Sequence, residues 1–163
     1  MLLLLFIPPQ EIATISEVGR DIQAYPEMFI SNQAAHRFAG YLAAQKERML
    51  GLRSQRTNRP ELVDVHGFDT KFAYHAVRLG LQGVELMSTG RVALPMPEPD
   101  RTWLTDLRKG KHTKEEALER TDDLHDRLQQ LASVSAWPDR VDMKAVDEWL
   151  VNTHHGWWRG EFR

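Results

Sequence analysis

Residues 67–90 read GFDTKFAYHAVRLGLQGVELMSTG, and this segment has the pattern of one long amphipathic helix. Apolar side chains recur on one side of it, as expected for a helix that packs against a core. Asp69 or Thr70 can cap its N-terminus, because a short polar side chain there accepts hydrogen bonds from free backbone N–H groups. Gly90 can end it. We therefore predict a central helix over residues 69–88, with the other elements packed around it.

The polar face of this predicted helix carries cationic or titratable side chains. Lys71, His75 and Arg78 are spaced i, i+4 and i+7, so they lie on one side of a helix. Two interpretations are open at this point. Either these side chains form a strip that binds phosphate, or they belong to an ordinary solvated face with local ion pairs.

The composition is that of a globular domain. The chain has 163 residues, of which 42% are hydrophobic and 27% are charged, and this length is enough to bury a core. The net charge of -2 does not by itself indicate nucleic-acid binding. The chain contains no cysteine, which excludes disulfides and thiolate metal sites and fits a reducing compartment, so we expect a cytoplasmic protein.

The apolar run at residues 1–7 is short. A bilayer-spanning helix needs about 20 apolar residues, and a signal peptide needs a basic start and a cleavage site of small residues. We therefore expect no membrane association, and we interpret the run as a buried strand or the end of a helix.

Helical patterns also dominate the rest of the chain. We predict a mainly α fold, a helical bundle with at most one or two short strands near the N-terminus or at residues 91–94. The chain is expected to form a single helical domain, in which residues 1–94 form the core and residues 95–163 carry C-terminal helices after a proline-rich linker. The further helices are predicted at residues 16–25, capped by Ser16, and at residues 32–50, 100–109 and 113–133, the last of which begins with a Thr113–Glu116 capping box. Asp142 caps a final helix, whereas residues 154–163 have no clear period.

Residues 52–66 are basic and polar, and they predict a loop with a turn signal around Pro60. Arg53, Arg56 and Arg59 lie in this segment. They are candidates for contact with an RNA backbone, which attracts arginine through its phosphates. The other interpretation is a mobile solvated loop.

Several aromatic residues and histidines carry weaker signals. Tyr74 either stacks on a nucleobase or packs in the core. His154 and His155 are adjacent rather than one helical turn apart, so both rings would not readily face one metal ion, and we expect no metal site. Trp157 and Trp158 either stack on single-stranded nucleic acid or pack against a partner subunit.

A set of motifs occurs in a fixed order along the chain. Together they resemble the nucleotidyltransferases of the DNA polymerase beta superfamily that occur in bacteria and phages, sometimes beside RNA-repair ligases. The likeness covers residues 2–128 and returns near the end of the chain. The motifs are LLFxP at 4–8, FISxxA at 29–34, FxGYxxxQ at 38–45, GFDTKxAxHxxRL at 67–79, GVELxxTG at 83–90 followed by Pro95, and DxxAVDxWLV at 142–151.

The resemblance also shows what this chain lacks. Enzymes of this kind position the triphosphate with a Gly-Ser turn and bind two metal ions with an Asp-x-Asp pair, and neither pair occurs here. The resemblance therefore implies the C-terminal, mostly helical half of the family, without its catalytic sheet. Two-metal phosphoryl transfer needs carboxylates that hold ions about 3.5–4 Å apart. We expect no catalytic residue in this chain, and Mg²⁺ and a nucleoside triphosphate to bind only together with a catalytic partner.

In the resembling family, this helical half would close over the nucleotide. The resemblance thus implies that Lys71, His75 and Arg78, with Asp69 and Tyr74, bind the nucleotide and its phosphates. The expected partners are a catalytic-half protein or a second copy of the chain, a nucleotide, and RNA. The function predicted is the nucleotide- or substrate-binding half of a split or truncated nucleotidyltransferase. The alternative is a non-enzymatic helical interaction module that binds RNA or a protein partner.

Overall fold

The structure is a computed structural model that describes residues 5–53 and 59–162. These residues form helices joined by turns, and no strand is present among them, which confirms the mainly α fold. Neither residues 5–7 nor residues 91–94 form the short strand for which they were candidates, and the start of the apolar run, residues 1–4, lies outside the described residues. In the part of the chain that is described, no helix has the length and apolar character needed to cross a membrane.

The α-helices follow one another along the chain with short connections. Two short 3-10 turns, at Pro9–Glu11 and Pro26–Phe29, flank the first of them. The helices are α1 (Glu17–Ala24), α2 (Gln33–Met49), α3 (Pro60–His66), α4 (Thr70–Thr89), α5 (Asp100–Arg108), α6 (Lys114–Val134) and α7 (Met143–Trp158).

Side-chain caps fix where several helices begin. The Asp69 carboxylate accepts hydrogen bonds from the N–H groups of Lys71 and Phe72 at 3.0 and 3.2 Å, which sets the start of α4. Thr113 and Glu116 form the two reciprocal bonds of a capping box at the start of α6. Both caps are as predicted. The same holds for Ser16 at α1 and Asp142 at α7.

Helix α4 lies at the centre of the fold and packs against α2, α5 and α6. Two glycines on its inner face bring α2 and α6 close. A Cβ on Gly80 would lie 2.8 Å from both Leu42 Cδ1 of α2 and Leu124 Cβ of α6, and a Cβ on Gly83 would lie 2.8 Å from Phe38 Cβ of α2. The missing side chains at these positions therefore permit the close approach of the three helices.

One prediction of local structure is wrong. We expected a loop over residues 52–66, but Pro60–His66 forms α3, which packs on α4. Proline is well tolerated in the first turn of a helix, because its missing N–H would have no partner there. A helix of this length has too few turns to show a clear apolar period, so the proline was interpreted as a turn signal.

The C-terminal helix α7 is attached to the fold chiefly at the Pro26–Phe29 turn. The indole N–H of Trp149 donates to the Asp21 carboxylate at 2.9 Å, and its ring meets Phe29 edge-on with ring centroids 6.1 Å apart. Beyond Trp149 the helix continues to Trp158, although the sequence showed no clear period over residues 154–158. Most of the surface of α7 is exposed.

Candidate functional site

Cationic side chains from separate segments converge on the N-terminal half of α4. Lys71, His75 and Arg78 are half-buried on this helix, as their spacing predicts. Arg59, just before α3, and Arg108, at the end of α5, are close enough to act electrostatically on His75. We call these five residues the cationic cluster.

The environment of the cluster lowers the pKa of His75. The main cause is desolvation of the half-buried imidazole, followed by repulsion from Arg78 and Lys71 and then from Arg108 and Arg59. A positive charge on the ring is therefore disfavoured in the folded protein. An anion bound here would favour the positively charged form of His75, because it would offset the repulsion among the cations.

Arg59 is held in the cluster by Asp69. Its guanidinium Nη1 lies 3.2 Å from Asp69 Oδ2, and its backbone N–H donates to the same oxygen at 3.3 Å. The guanidinium also lies over the Phe72 ring, 5.0 Å from the ring centroid. Asp69 is only 1% exposed, and its contacts are with the start of α4 and with Arg59. These contacts make it a residue that positions the cluster.

Arg108 reaches the cluster through Thr70. Its Nη1 donates to Thr70 Oγ1 at 3.1 Å, and the Thr70 hydroxyl lies 3.5 Å from the Arg108 carbonyl oxygen, to which it donates. Thr70 is fully buried, so this contact fixes the end of α5 against the start of α4. Sequence reasoning missed Arg108, which lies 38 residues from Thr70. In the sequence Arg108 lies near the end of the helix predicted over residues 100–109, and no local pattern distinguishes it from other helix-end cations.

Most of the cluster has no neutralising partner. Within the described ranges, no ion pair involves Lys71, Arg78 or Arg108. The Nε of Arg78 is buried and has no hydrogen-bond partner there either. A buried charged group without a partner is costly, and native proteins rarely keep one without a functional reason. The arrangement therefore favours an anionic ligand.

A cavity of about 260 Å³ lies beside Arg78. Tyr74, Arg78 and Gln82 of α4 form one wall, and residues of α5 and of the segment before it form the other. Tyr74 also meets the His75 ring edge-on, with ring centroids 5.5 Å apart. Gln82 is only 3% exposed, and its Oε1 has no hydrogen-bond partner among the described residues. Because Tyr74 lines the cavity and contacts His75, it lies between the cluster and the cavity.

The remaining candidate residues that the structure describes contact residues outside the cluster. Arg53 pairs with an exposed glutamate of α2 at 3.0 Å, and Arg56 lies outside the described residues. His154 and His155 each lie 5.9 Å from the Trp158 ring, measured between ring centroids, far from α4 in sequence and on the exposed α7.

In the described part of the chain, no three His, Cys, Asp or Glu side chains come together as a metal ion would require. The described side chains therefore do not fit the two-metal centre of a nucleotidyltransferase.

The fold and the cluster define a helical protein whose central helix carries a concentrated, largely uncompensated positive charge. The chain belongs to the RNA repair pathway DNA polymerase beta family, whose family model matches residues 1–152. This confirms the family resemblance that the sequence motifs indicated. No significant match was found among curated proteins or among solved structures.

Proposed function

We propose that this chain is the nucleotide-binding half of a split or truncated nucleotidyltransferase, and that the cationic cluster binds the triphosphate. The observation that carries the proposal is the convergence of cations from separate segments on His75, most of them without a carboxylate partner in the described part. Membership of a DNA polymerase beta family favours a nucleoside triphosphate over other polyanions.

The cations of α4 suit different parts of a triphosphate. Arg78 presents a planar fork that can donate two hydrogen bonds to one phosphate group, whereas Lys71 supplies a compact point charge. His75 can donate a hydrogen bond to a phosphate oxygen, and it gains a positive charge when protonated. The two arginines held from neighbouring segments complete the positive surface.

The proposal assigns no catalytic residue to this chain. Two-metal phosphoryl transfer depends on carboxylates that hold the ions. We propose that a catalytic half outside these residues supplies them, because this sequence has no Asp-x-Asp pair. The family's place in an RNA repair pathway makes an RNA end the proposed acceptor. The chain alone, given Mg²⁺, labelled nucleoside triphosphates and RNA, should transfer no label, and transfer would show that this part of the proposal is wrong.

Calorimetric titration with ATP, CTP, GTP and UTP, with and without Mg²⁺, tests the binding site. We expect Lys71→Ala to weaken binding about tenfold, because a hydrogen bond to a charged group contributes about 1.5–3 kcal/mol. The matched control is Lys109→Ala, which removes the same charge from an exposed residue beside Arg108. The proposal fails if the unaltered chain binds no nucleotide, or if both lysine variants bind equally well.

The alternative is a non-enzymatic module that binds RNA. It is favoured by the position of Arg59, which belongs to the basic segment and also lies in the cluster, so that one RNA backbone can contact both. Such binding would weaken steeply with added salt, because it depends on phosphate contacts. Salt-sensitive RNA binding that is lost in the combined Arg53→Ala, Arg56→Ala and Arg59→Ala variant, without any nucleotide binding, would decide for this alternative.

A further inference from the structure

We propose that the cavity lined by Tyr74, Arg78 and Gln82 binds the nucleobase of the nucleotide whose phosphates lie on the cationic cluster. This inference rests on the proposed function and extends it, because it says which part of the ligand each side of Arg78 contacts. Hereafter we call this space the base cavity.

The position of the base cavity fits a ligand that extends from the cluster. Arg78 belongs to both, so a group in the cavity lies next to a group on the cluster. Its volume of about 260 Å³ is below the usual range for small-molecule sites, about 300–1,000 Å³. The cavity is therefore suited to one ring system rather than to a whole nucleotide. The lining residues are Tyr74, Arg78, Gln82, Leu94, Met96, Arg101, Leu104 and Thr105.

Two polar groups in the wall are unpaired among the described residues, and a ligand with both a donor and an acceptor would pair with both of them. Gln82 Oε1 is a buried acceptor without a donor, and Arg78 Nε is a buried donor without an acceptor, as far as the described residues show. The two residues are four apart on α4, so they are neighbours on the helix surface. Leaving such groups unpaired costs free energy, which a ligand can recover by pairing with them.

This pattern fits a base better than a phosphate. A deprotonated phosphate carries only acceptor oxygens, so it can pair with Arg78 but not with Gln82 Oε1. The edge of a nucleobase presents an N–H donor beside an acceptor, and glutamine side chains recognise such edges in nucleic acids. A base can therefore satisfy both groups at once.

The remaining walls suit the faces of a flat ring. Leu104 is only 3% exposed, and Leu94 and Met96 pack partly buried against the core, so one side of the cavity is apolar. Arg101 also lines the cavity, and its Nε donates to Glu98 Oε1 at 2.8 Å. A few polar groups in a mostly apolar recess are the usual composition of a site for a small organic molecule.

Calorimetric titration of the same chain with the nucleoside triphosphates and with sodium tripolyphosphate tests this assignment. Tripolyphosphate carries the charge of the ligand without its base. We expect the unaltered chain to bind its preferred nucleotide at least about tenfold more tightly than tripolyphosphate. Gln82→Met, which keeps the length of the side chain and removes its polar groups, should lose this advantage and keep the affinity for tripolyphosphate. Gln129→Met, at an exposed position of α6, is the matched control and should behave as the unaltered chain.

The outcomes separate the two proposals. If tripolyphosphate and all four nucleotides bind the unaltered chain equally, or if Gln82→Met keeps the preference, the base cavity is wrong and the phosphate site stands. If neither tripolyphosphate nor any nucleotide binds, the proposed function is wrong and this inference falls with it. Should Gln82→Met not fold, saturation-transfer NMR on the unaltered chain decides. The base protons should then receive the strongest transfer, and stronger transfer to the ribose protons would overturn the assignment.

Discussion

Arg78 and Arg120 are both half-buried, and each has a buried Nε without a hydrogen-bond partner in the described residues, yet their surroundings are opposite. The Arg120 Nη2 lies 2.6 Å from Asp100 Oδ1, and its guanidinium lies over Trp103, 5.0 Å from the ring centroid. Arg78 forms no ion pair with a described residue and lies in a cluster of other cations.

The positive charge of Arg120 is compensated within the protein by Asp100. Trp103 stacks on His112 with ring centroids 4.4 Å apart, and His112 in turn lies 3.5 Å from the Glu116 carboxylate. A charge that has its partner inside the fold gains little from a ligand. In the cationic cluster, only Arg59 has such a partner in the described part of the chain, and Lys71, Arg78 and Arg108 have none, so their charge gains most when an anion binds. The comparison thus separates an arginine that holds the structure together from one suited to bind a ligand.

The largest expected effect is on nucleotide affinity. Arg78→Ala should weaken nucleotide binding about a hundredfold, or about 3 kcal/mol, because it removes a charge, a fork for the phosphates and part of the base cavity. Arg120→Ala should change the affinity less than about twofold. Calorimetric titration measures both. A similar loss of affinity in the two variants would show that Arg78 and Arg120 do not differ in ligand binding.

Stability without ligand should change in opposite directions. Arg120→Met should lower the free energy of unfolding by about 1–2 kcal/mol, because Asp100 loses its partner. Arg78→Met should raise it by about 1 kcal/mol, because it removes an uncompensated charge from a partly apolar site. Urea unfolding monitored by circular dichroism compares them. If Arg78→Met were destabilised as much as Arg120→Met, Arg78 would be a structural residue.

A smaller effect tests how Arg108 is held. Thr70→Val removes the hydroxyl that contacts Arg108 and keeps the shape of the side chain, so nucleotide affinity should fall about fivefold. Thr121→Val is the control, because Thr121 is equally buried but, among the described residues, its hydroxyl donates within α6, to the Ala117 carbonyl. Its affinity for nucleotide should not change. Equal losses in the two variants would mean that Arg108 takes no part in binding.

The smallest effect is the pH dependence of His75. Folding lowers its pKa from 6.5, so between the lowered value and 6.5 the unfolded chain binds more protons than the folded chain. The contribution of His75 to the free energy of unfolding is therefore full above pH 6.5 and falls as the pH drops through this window. His75→Gln should lose that dependence and be relatively more stable at acidic pH, as urea unfolding across the window would show.

Nucleotide binding should shift the pKa of His75 upward, in the opposite direction to folding. The triphosphate favours the charged imidazole, so it raises the pKa of His75, and binding takes up a proton. Nucleotide affinity should then rise as the pH falls toward the lowered pKa, by less than about fivefold. Calorimetry in buffers of different ionisation enthalpy detects the proton. An affinity that is equally pH-dependent in His75→Gln would assign the effect to another group.

Local patterns were sufficient to predict most helices. Each cap involves residues within one turn, so Asp69 and Thr113 marked the starts of α4 and α6 without knowledge of the rest of the fold. The prediction failed at Pro60–His66, where the helix is too short for its period to be visible. It also missed the helical character of residues 154–158, whose mixture of histidine, glycine and tryptophan has no apolar stripe.

The sequence by itself determined that Lys71, His75 and Arg78 share one face, because the period of a helix is a local property of the backbone. It also determined the family, because each family motif is a short continuous stretch of sequence. Only the tertiary structure decided that Arg59 and Arg108 join that face, and that Gln82 lies buried and unpaired beside it. The physical reason is that these features depend on contacts between distant parts of the chain. Arg108 reaches the face because α5 packs against α4, and Arg59 reaches it because it pairs with the Asp69 side chain. The burial of Gln82 depends on all of its neighbours together.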